Sequence, residues 1–387
     1  MIKRELASKL AELATKMPVV SLTGPRQSGK STLARSVFPH YKYVNLEDLE
    51  FREFARSDPK AFLEEFSFPL IIDEAQYVPA LFSYIQVICD RENKEGMYVL
   101  TGSQDFLLSK SISQSLAGRV ATLHLLPFSI SELENTEFCE VKWENYIFKG
   151  FYPRIYDKNL DCTKWYADYI RTYIEKDARD IVNIGELRTF QQFVSLCAGR
   201  IGQLVNLSSL GNELGISYQT VKRWLNVLEV TNIVILLRPY HANFNKRIVK
   251  TPKLYFNDPG IVSYLLGIRK IEDVFNHFCR GALFENMIIV ETFKSYYNRG
   301  LEPPVFFWRD NSGLEVDMVI DDAGVGYPIE IKSGKTFNSD FTKSIIKFNE
   351  ISKPDHNSGA IVYGGEMKQK RDTIKVYTWN TWPGEST

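Results

Sequence analysis

The amino-acid sequence predicts an α/β protein of several domains: a parallel five-stranded sheet with helices on both faces, a winged-helix middle domain, and a second α/β domain at the C-terminal end. Three observations carry this reading. The first third of the chain holds five short apolar runs, at 18–23, 41–46, 69–73, 97–101 and 120–125, most of them separated by helix-length stretches of mixed polarity. The middle holds two short helical patterns divided by Gly215 and Ile216 and followed by a β-rich run at 233–237. The last third opens with a long helical pattern at 281–297 and continues as strands.

Each element follows from local chemistry. Parallel strands need crossover connections and are covered on both faces, so apolar runs alternating with helices point to a parallel sheet within residues 1–150. Residues 1–15 read as an amphipathic helix with Leu6, Leu10 and Leu13 on one face, without the apolar core of a signal peptide. Residues 151–203 turn helical and charged, with Arg171, Glu175, Lys176 and Asp177, as befits a connector or lid. Within 204–278, the patterns at 210–215 and 218–228 form a helix-turn-helix, Ser217 caps the second helix, and 233–237 supplies a wing-like strand. Within 279–387, strands at 305–309, 314–320, 327–332 and 360–363 follow the long helix.

Composition narrows the functional classes. A chain of 387 residues exceeds what one core organises. With 44% apolar and 24% charged residues it is neither fibrous nor intrinsically disordered. Lys plus Arg equals Asp plus Glu at 47 each, so no global field draws the molecule to nucleic acid or anionic lipid, and any such contact needs a local basic patch. Cys89, Cys139, Cys162, Cys197 and Cys279 lack CxxC spacing, which argues against a zinc site or disulfide framework and fits a reducing cytoplasm. No apolar run approaches the roughly 18 to 20 residues needed to span a bilayer, so no membrane segment is expected.

The sharpest signal is Gly24-Pro25-Arg26-Gln27-Ser28-Gly29-Lys30-Ser31, followed by Thr32, which matches GxxxxGK[ST] between an apolar strand and a helical run. Its glycines let backbone amides wrap a phosphate, the helix N-terminus adds its positive end, Lys30 reaches the β and γ oxygens of ATP, and Ser31 ligates magnesium. A second half follows in the apolar strand that ends in Asp73-Glu74. Asp73 is placed to hold the magnesium through water and Glu74 to activate the attacking water. The strand at 98–101 runs into Gly102-Ser103-Gln104, where Ser103 or Gln104 is the candidate γ-phosphate sensor. Arg119, just before the fifth strand, is a candidate finger into a neighbouring subunit or a sensor in its own.

In order along the chain, GPRQSGKST, LIIDEAQ, LTGSQ, LAGR and LPFS resemble the prokaryotic AAA-type P-loop ATPases that carry a DUF4143 C-terminal region. YIRTYIEKD, the winged-helix stretch and the closing EVD…IEIKSGK resemble the same architecture, so the likeness covers almost the whole chain. It implies an ATPase fold, a winged helix and a C-terminal domain similar to restriction endonucleases. Under this reading residues 1–150 are the ATPase domain, 151–203 a helical connector, 204–278 the winged helix and 279–387 the nuclease-like domain.

The C-terminal residues support that implication on their own terms. Glu330 and Lys332 are two apart and share one face of a strand, Asp317 lies in the preceding strand, and Glu285 lies in the long helix. This is a D…ExK pattern. Asp317 and Glu330, with Glu285 completing the shell, are the expected magnesium ligands, and Lys332 would offset anionic charge or position water. On the helix-turn-helix, Tyr218, Gln219, Lys222 and Arg223 are candidate contacts to double-stranded DNA. Arg238, His241, Lys246, Arg247 and Lys250 follow in and after the wing. The sequence thus predicts an ATPase whose nucleotide state is coupled to a DNA-binding, nuclease-like domain. The alternative is an ATP-controlled signalling or scaffold switch whose C-terminal fold is a catalytically inactive protein-docking module; self-association or a protein partner is expected alongside ATP.

Overall fold

The computed structural model describes residues 2–102, 115–173, 187–240, 250–310, 312–352, 358–367, 369–371 and 373–383. The expectations placed on Ser103, Gln104, Glu175, Lys176, Asp177, His241, Lys246 and Arg247 lie outside these residues. Two compact units emerge. The first comprises Met1–Phe128 with Val230–Asn232 and Tyr296–Glu302, and the second comprises Ser129–Glu229, Ile233–Ser295 and Pro303–Thr387.

In the first unit, strands β1 (Val19–Thr23), β2 (Lys42–Asn45), β3 (Leu70–Asp73), β4 (Tyr98–Thr101) and β5 (Val120–His124) form the expected sheet, in the order β2-β3-β4-β1-β5 and parallel at every pairing. Because side chains alternate along a strand, β1 serves two cores at once. Val20 and Leu22 pack with Leu6 and Leu10 of the helix Leu6–Ala14 and with Leu33 of the helix Lys30–Val37. Val19 faces the other way, into a core built with Phe62, Leu81, Phe82 and Ile85 from the helices Pro59–Glu65 and Ala80–Glu92. Leu6 and Leu10 are fully buried, and at about 1.5–3 kcal/mol for each leucine their burial holds the N-terminal helix to the sheet.

The second unit contains the helix-turn-helix as helices Leu207–Leu214 and Tyr218–Val230. Gly215 takes a φ of 67° to end the first, and the Ser217 hydroxyl accepts from the Thr220 amide, 3.1 Å away, to start the second. Strands β6 (Val234–Leu237) and β7 (Lys253–Phe256) pair antiparallel behind it. The helix Arg280–Asn298 then leads to a six-stranded mixed sheet ordered β12-β13-β11-β10-β9-β8. Its strands are β8 (Val305–Arg309), β9 (Glu315–Asp322), β10 (Val325–Lys332), β11 (Gly359–Tyr363), β12 (Gln369–Arg371) and β13 (Ile374–Thr378). The last two were not anticipated from the sequence. β13 alternates Ile374, Val376 and Thr378 with Lys375 and Tyr377, a short pattern hidden among the polar residues around it.

Candidate functional site

The phosphate loop leaves the C-terminal end of β1 through Gly24, whose φ is 134°. A Cβ there would stand 2.2 Å from the Leu125 carbonyl oxygen, so only glycine allows the loop to pass against β5. Gly29, at φ 97°, turns the chain into the helix Lys30–Val37, which places the first-turn amides and Ser31 at the loop's mouth. Lys30 is 5% exposed and its Nζ donates to the carbonyls of Gly24 at 2.9 Å and Pro25 at 2.8 Å, so the ammonium lies within the loop. Arg26 faces Glu47 at 3.8 Å. Arg4 holds the loop from behind, donating to the Ser28 carbonyl at 2.7 Å and the Leu126 carbonyl at 2.6 Å. No local pattern marks Arg4 as part of the site, because its partners lie far along the chain.

With parallel strands in the order β3-β4-β1, the ends of β3 and β4 share a sheet edge with the loop. Asp73 ends β3, is 4% exposed, and accepts from the Tyr43 hydroxyl at 2.6 Å on Oδ2 and from the Thr101 hydroxyl on Oδ1. Glu74 adopts the left-handed conformation at φ 53° and accepts from the Gln76 side-chain amide. A non-glycine residue held there costs energy that the surroundings must supply, a frequent trait of functional positions. Gly102 donates to the Leu22 carbonyl at 3.3 Å, so the chain after β4 starts at this same edge. A buried ammonium, a helix N-terminus and a carboxylate at one sheet edge are a donor set that fits a nucleotide phosphate with its magnesium.

The second unit gathers a denser cluster. Lys332 on β10 donates to Asp317 Oδ2 on β9 at 2.9 Å and also pairs with Glu330, while the Ile331 amide donates to the same Asp317 oxygen at 2.9 Å. Glu330 accepts from the Ser344 hydroxyl as well. Glu285, from the helix Arg280–Asn298, is held by Lys253 of β7 at 3.0 Å and by the Tyr255 hydroxyl. Lys253 also pairs with Glu315 at 2.5 Å, and Arg309 reaches Glu315 at 3.1 Å. Burial and the Asp317 charge push the Glu330 carboxyl up, and burial raises that of Glu285. Burial acts on Asp317 too, but Lys332 and Lys253 outweigh it and keep its carboxyl below the usual range. Asp317, Glu330, Lys332 and Glu285 therefore come together with ammonium groups between the carboxylates. Among the described residues no three His, Cys, Asp or Glu side chains are grouped to hold a metal ion. Lys253, Tyr255, Glu315 and Ser344 escaped sequence reasoning, since β7 and the helix Lys343–Ser352 carry no motif.

Three family models match successive parts of the chain. The model described as an AAA domain matches residues 16–134, one described as a domain of unknown function, DUF8612, matches 140–272, and one described as a domain of unknown function, DUF4143, matches 280–382. The chain joins an AAA-type ATPase domain to a DUF4143 C-terminal region. An uncharacterised protein of Mycobacterium tuberculosis is 29% identical over 338 residues, which cover 86% of this chain and 74% of that one. An uncharacterised protein of Methanocaldococcus jannaschii is 25% identical over 355 residues, covering 82% and 75%. Among solved structures, a Walker-type ATPase of Pyrococcus abyssi is similar at a TM-score of 0.49 and 16% identity, over 68% of this chain and 96% of that one.

Two further expectations concern the AAA domain and the helix-turn-helix. Arg119 lies at the wrong edge to sense nucleotide in its own AAA domain. Val19 pairs with Val120, and the Val19 amide donates to the Arg119 carbonyl at 3.2 Å, so Arg119 sits at the start of β1 whereas the phosphate loop leaves its end. Its guanidinium is instead held by Asp90, with Nη2 donating to Oδ2 at 2.9 Å. On the helix Tyr218–Val230, Tyr218, Gln219, Lys222, Arg223 and Asn226 are exposed, whereas Val221, Trp224, Leu225 and Leu228 are buried. The four residues expected to face a ligand are thus on the outer face, joined by Asn226. No helix among the described residues is long and apolar enough to cross a membrane.

Proposed function

We propose that the chain is a magnesium-dependent ATPase whose nucleotide state controls the engagement of double-stranded DNA by its helix-turn-helix and nuclease-like regions. The observation that carries the ATPase reading is the convergence of the phosphate loop, Asp73 and Glu74 on one edge of the parallel sheet. In this reading Gly24, Pro25, Arg26, Gln27, Ser28, Gly29 and Thr32 shape the loop, and Lys30 leaves its two loop carbonyls to meet the β and γ oxygens. Ser31 and Asp73 would hold the magnesium, which when bound neutralises charge between those phosphates. Glu74 takes a proton from the attacking water. Arg119 is proposed to act, if it reaches nucleotide, only in the AAA domain of a second copy. The exposed Tyr218, Gln219, Lys222 and Arg223 support the DNA contact. Five cysteines without a disulfide among them support a reducing cytoplasm as the place of action.

A second reading of the DUF4143 region rests on a specific observation: Lys332 stands between Asp317 and Glu330, and Lys253 holds Glu285. The carboxylates expected to bind a cation are partnered by ammonium groups, so the fold also suits a catalytically silent docking module. Supercoiled plasmid incubated with the full chain, magnesium and ATP separates the two readings when Lys332→Ala is run beside it. Nicking that this variant abolishes supports the nuclease reading; ATP turnover without nicking at any concentration leaves the docking reading. Absence of ATP binding in calorimetry would overturn both.

A further inference from the structure

We propose that Tyr43 is a positioning residue that fixes Asp73 for magnesium-bound nucleotide. The inference rests on the ATPase reading and adds to it a residue outside the phosphate-loop and Asp-Glu motifs. Tyr43 lies on the edge strand β2, where it pairs with Ile71, two residues before Asp73 and on the same face of β3. That diagonal neighbour is within reach of an aromatic side chain, and the Tyr43 hydroxyl donates to Asp73 Oδ2 at 2.6 Å. The Thr101 hydroxyl donates to Oδ1, so one donor on each oxygen, from the strands on either side of β3, fixes the rotation of the carboxylate.

Tyr43 is itself held. The Arg35 guanidinium, from the helix that the phosphate loop opens, lies 4.8 Å from the centre of its ring. Tyr43 is 36% exposed and packs into neither core of the sheet, so its hydroxyl contact is not a by-product of apolar burial. A carboxylate with two fixed donors presents its remaining lone pairs in one direction. Groups that orient a metal ligand in this way change metal affinity when removed, by about 10–100-fold.

The test measures binding of a fluorescent ADP to the full chain, in EDTA and across a magnesium titration, for wild type, Tyr43→Phe and Arg35→Gln. In EDTA all three are expected to bind nucleotide alike, which also shows that the variants fold. The magnesium concentration for half-maximal enhancement of binding is expected to rise about tenfold in Tyr43→Phe, and by less in Arg35→Gln, where the ring loses only its cation. An unchanged magnesium requirement in Tyr43→Phe, with intact binding in EDTA, overturns the proposal while leaving the ATPase reading in place. Nucleotide binding absent from wild type overturns the ATPase reading and the Tyr43 assignment with it.

Discussion

Lys30 and Glu74 occupy neighbouring places at the sheet edge but are expected to fail differently. Lys30 is buried in the loop, so Lys30→Ala removes the ammonium proposed to meet the phosphates and is expected to abolish turnover and weaken ATP binding by about tenfold or more in calorimetry. Glu74→Gln keeps Asp73 and the loop, so ATP binding is expected to persist while phosphate release falls by about 10²–10⁴-fold. Glu330 makes a prediction of a different kind. Its carboxyl is raised in the folded chain, so the folded state holds a proton that the unfolded state has released. The stabilisation is complete below the ordinary carboxylate pKa and is lost as pH rises towards the raised value, about 8. Denaturant midpoints measured between pH 5 and 9 are expected to fall with pH in wild type and to fall less steeply in Glu330→Gln.

Among the elements, the helix Tyr218–Val230 separates its faces cleanly. Trp224, Leu225 and Leu228 bind it to its unit, whereas Lys222 and Arg223 are exposed one residue apart. Lys222→Ala with Arg223→Ala is therefore expected to leave thermal stability within about 0.5 kcal/mol. If the face binds DNA, the double variant lowers affinity and reduces the slope of log affinity against log salt by about 1 for each phosphate that it no longer neutralises. Fluorescence anisotropy on a duplex at several salt concentrations reads both. Equal affinity and equal slope would remove this helix from the DNA reading. The phosphate-loop helix shows the converse arrangement, with the proposed phosphate site at its N-terminus, where Gly29 and Lys30 combine conformational freedom, dipole and charge.

At the scale of the whole molecule, Lys253 joins three elements of the second unit. From β7 it reaches Glu285 on the helix Arg280–Asn298 and Glu315 on β9, and it is 2% exposed. Removing one member of a buried ionic network leaves the others uncompensated, so Lys253→Met is expected to destabilise the second unit by about 3–5 kcal/mol. All six tryptophans, Trp143, Trp165, Trp224, Trp308, Trp379 and Trp382, belong to that unit, so tryptophan fluorescence in urea follows it alone. A midpoint unchanged from wild type would show that the network is dispensable to the fold.

The sequence by itself determined the parts whose signals are short-ranged. Strand–loop–helix succession marked the phosphate loop, apolar runs marked all five strands of the first sheet to within a residue or two, and the Gly215–Ser217 turn marked the helix-turn-helix. These depend on neighbours along the chain: backbone freedom, capping and alternation. What tertiary structure decided is which side chains meet. Arg4 behind the loop, Tyr43 and Thr101 on Asp73, and Asp90 on Arg119 are pairings across strands and helices that no spacing encodes. The same holds for the C-terminal cluster. Its spacing shows that Glu330 and Lys332 share a face, but only the pairing of β9 with β10 and the arrival of Lys253 from β7 place ammonium groups between the carboxylates. Their charge is a property of the assembled fold, because burial makes each carboxylate depend on whichever cation the topology brings to it.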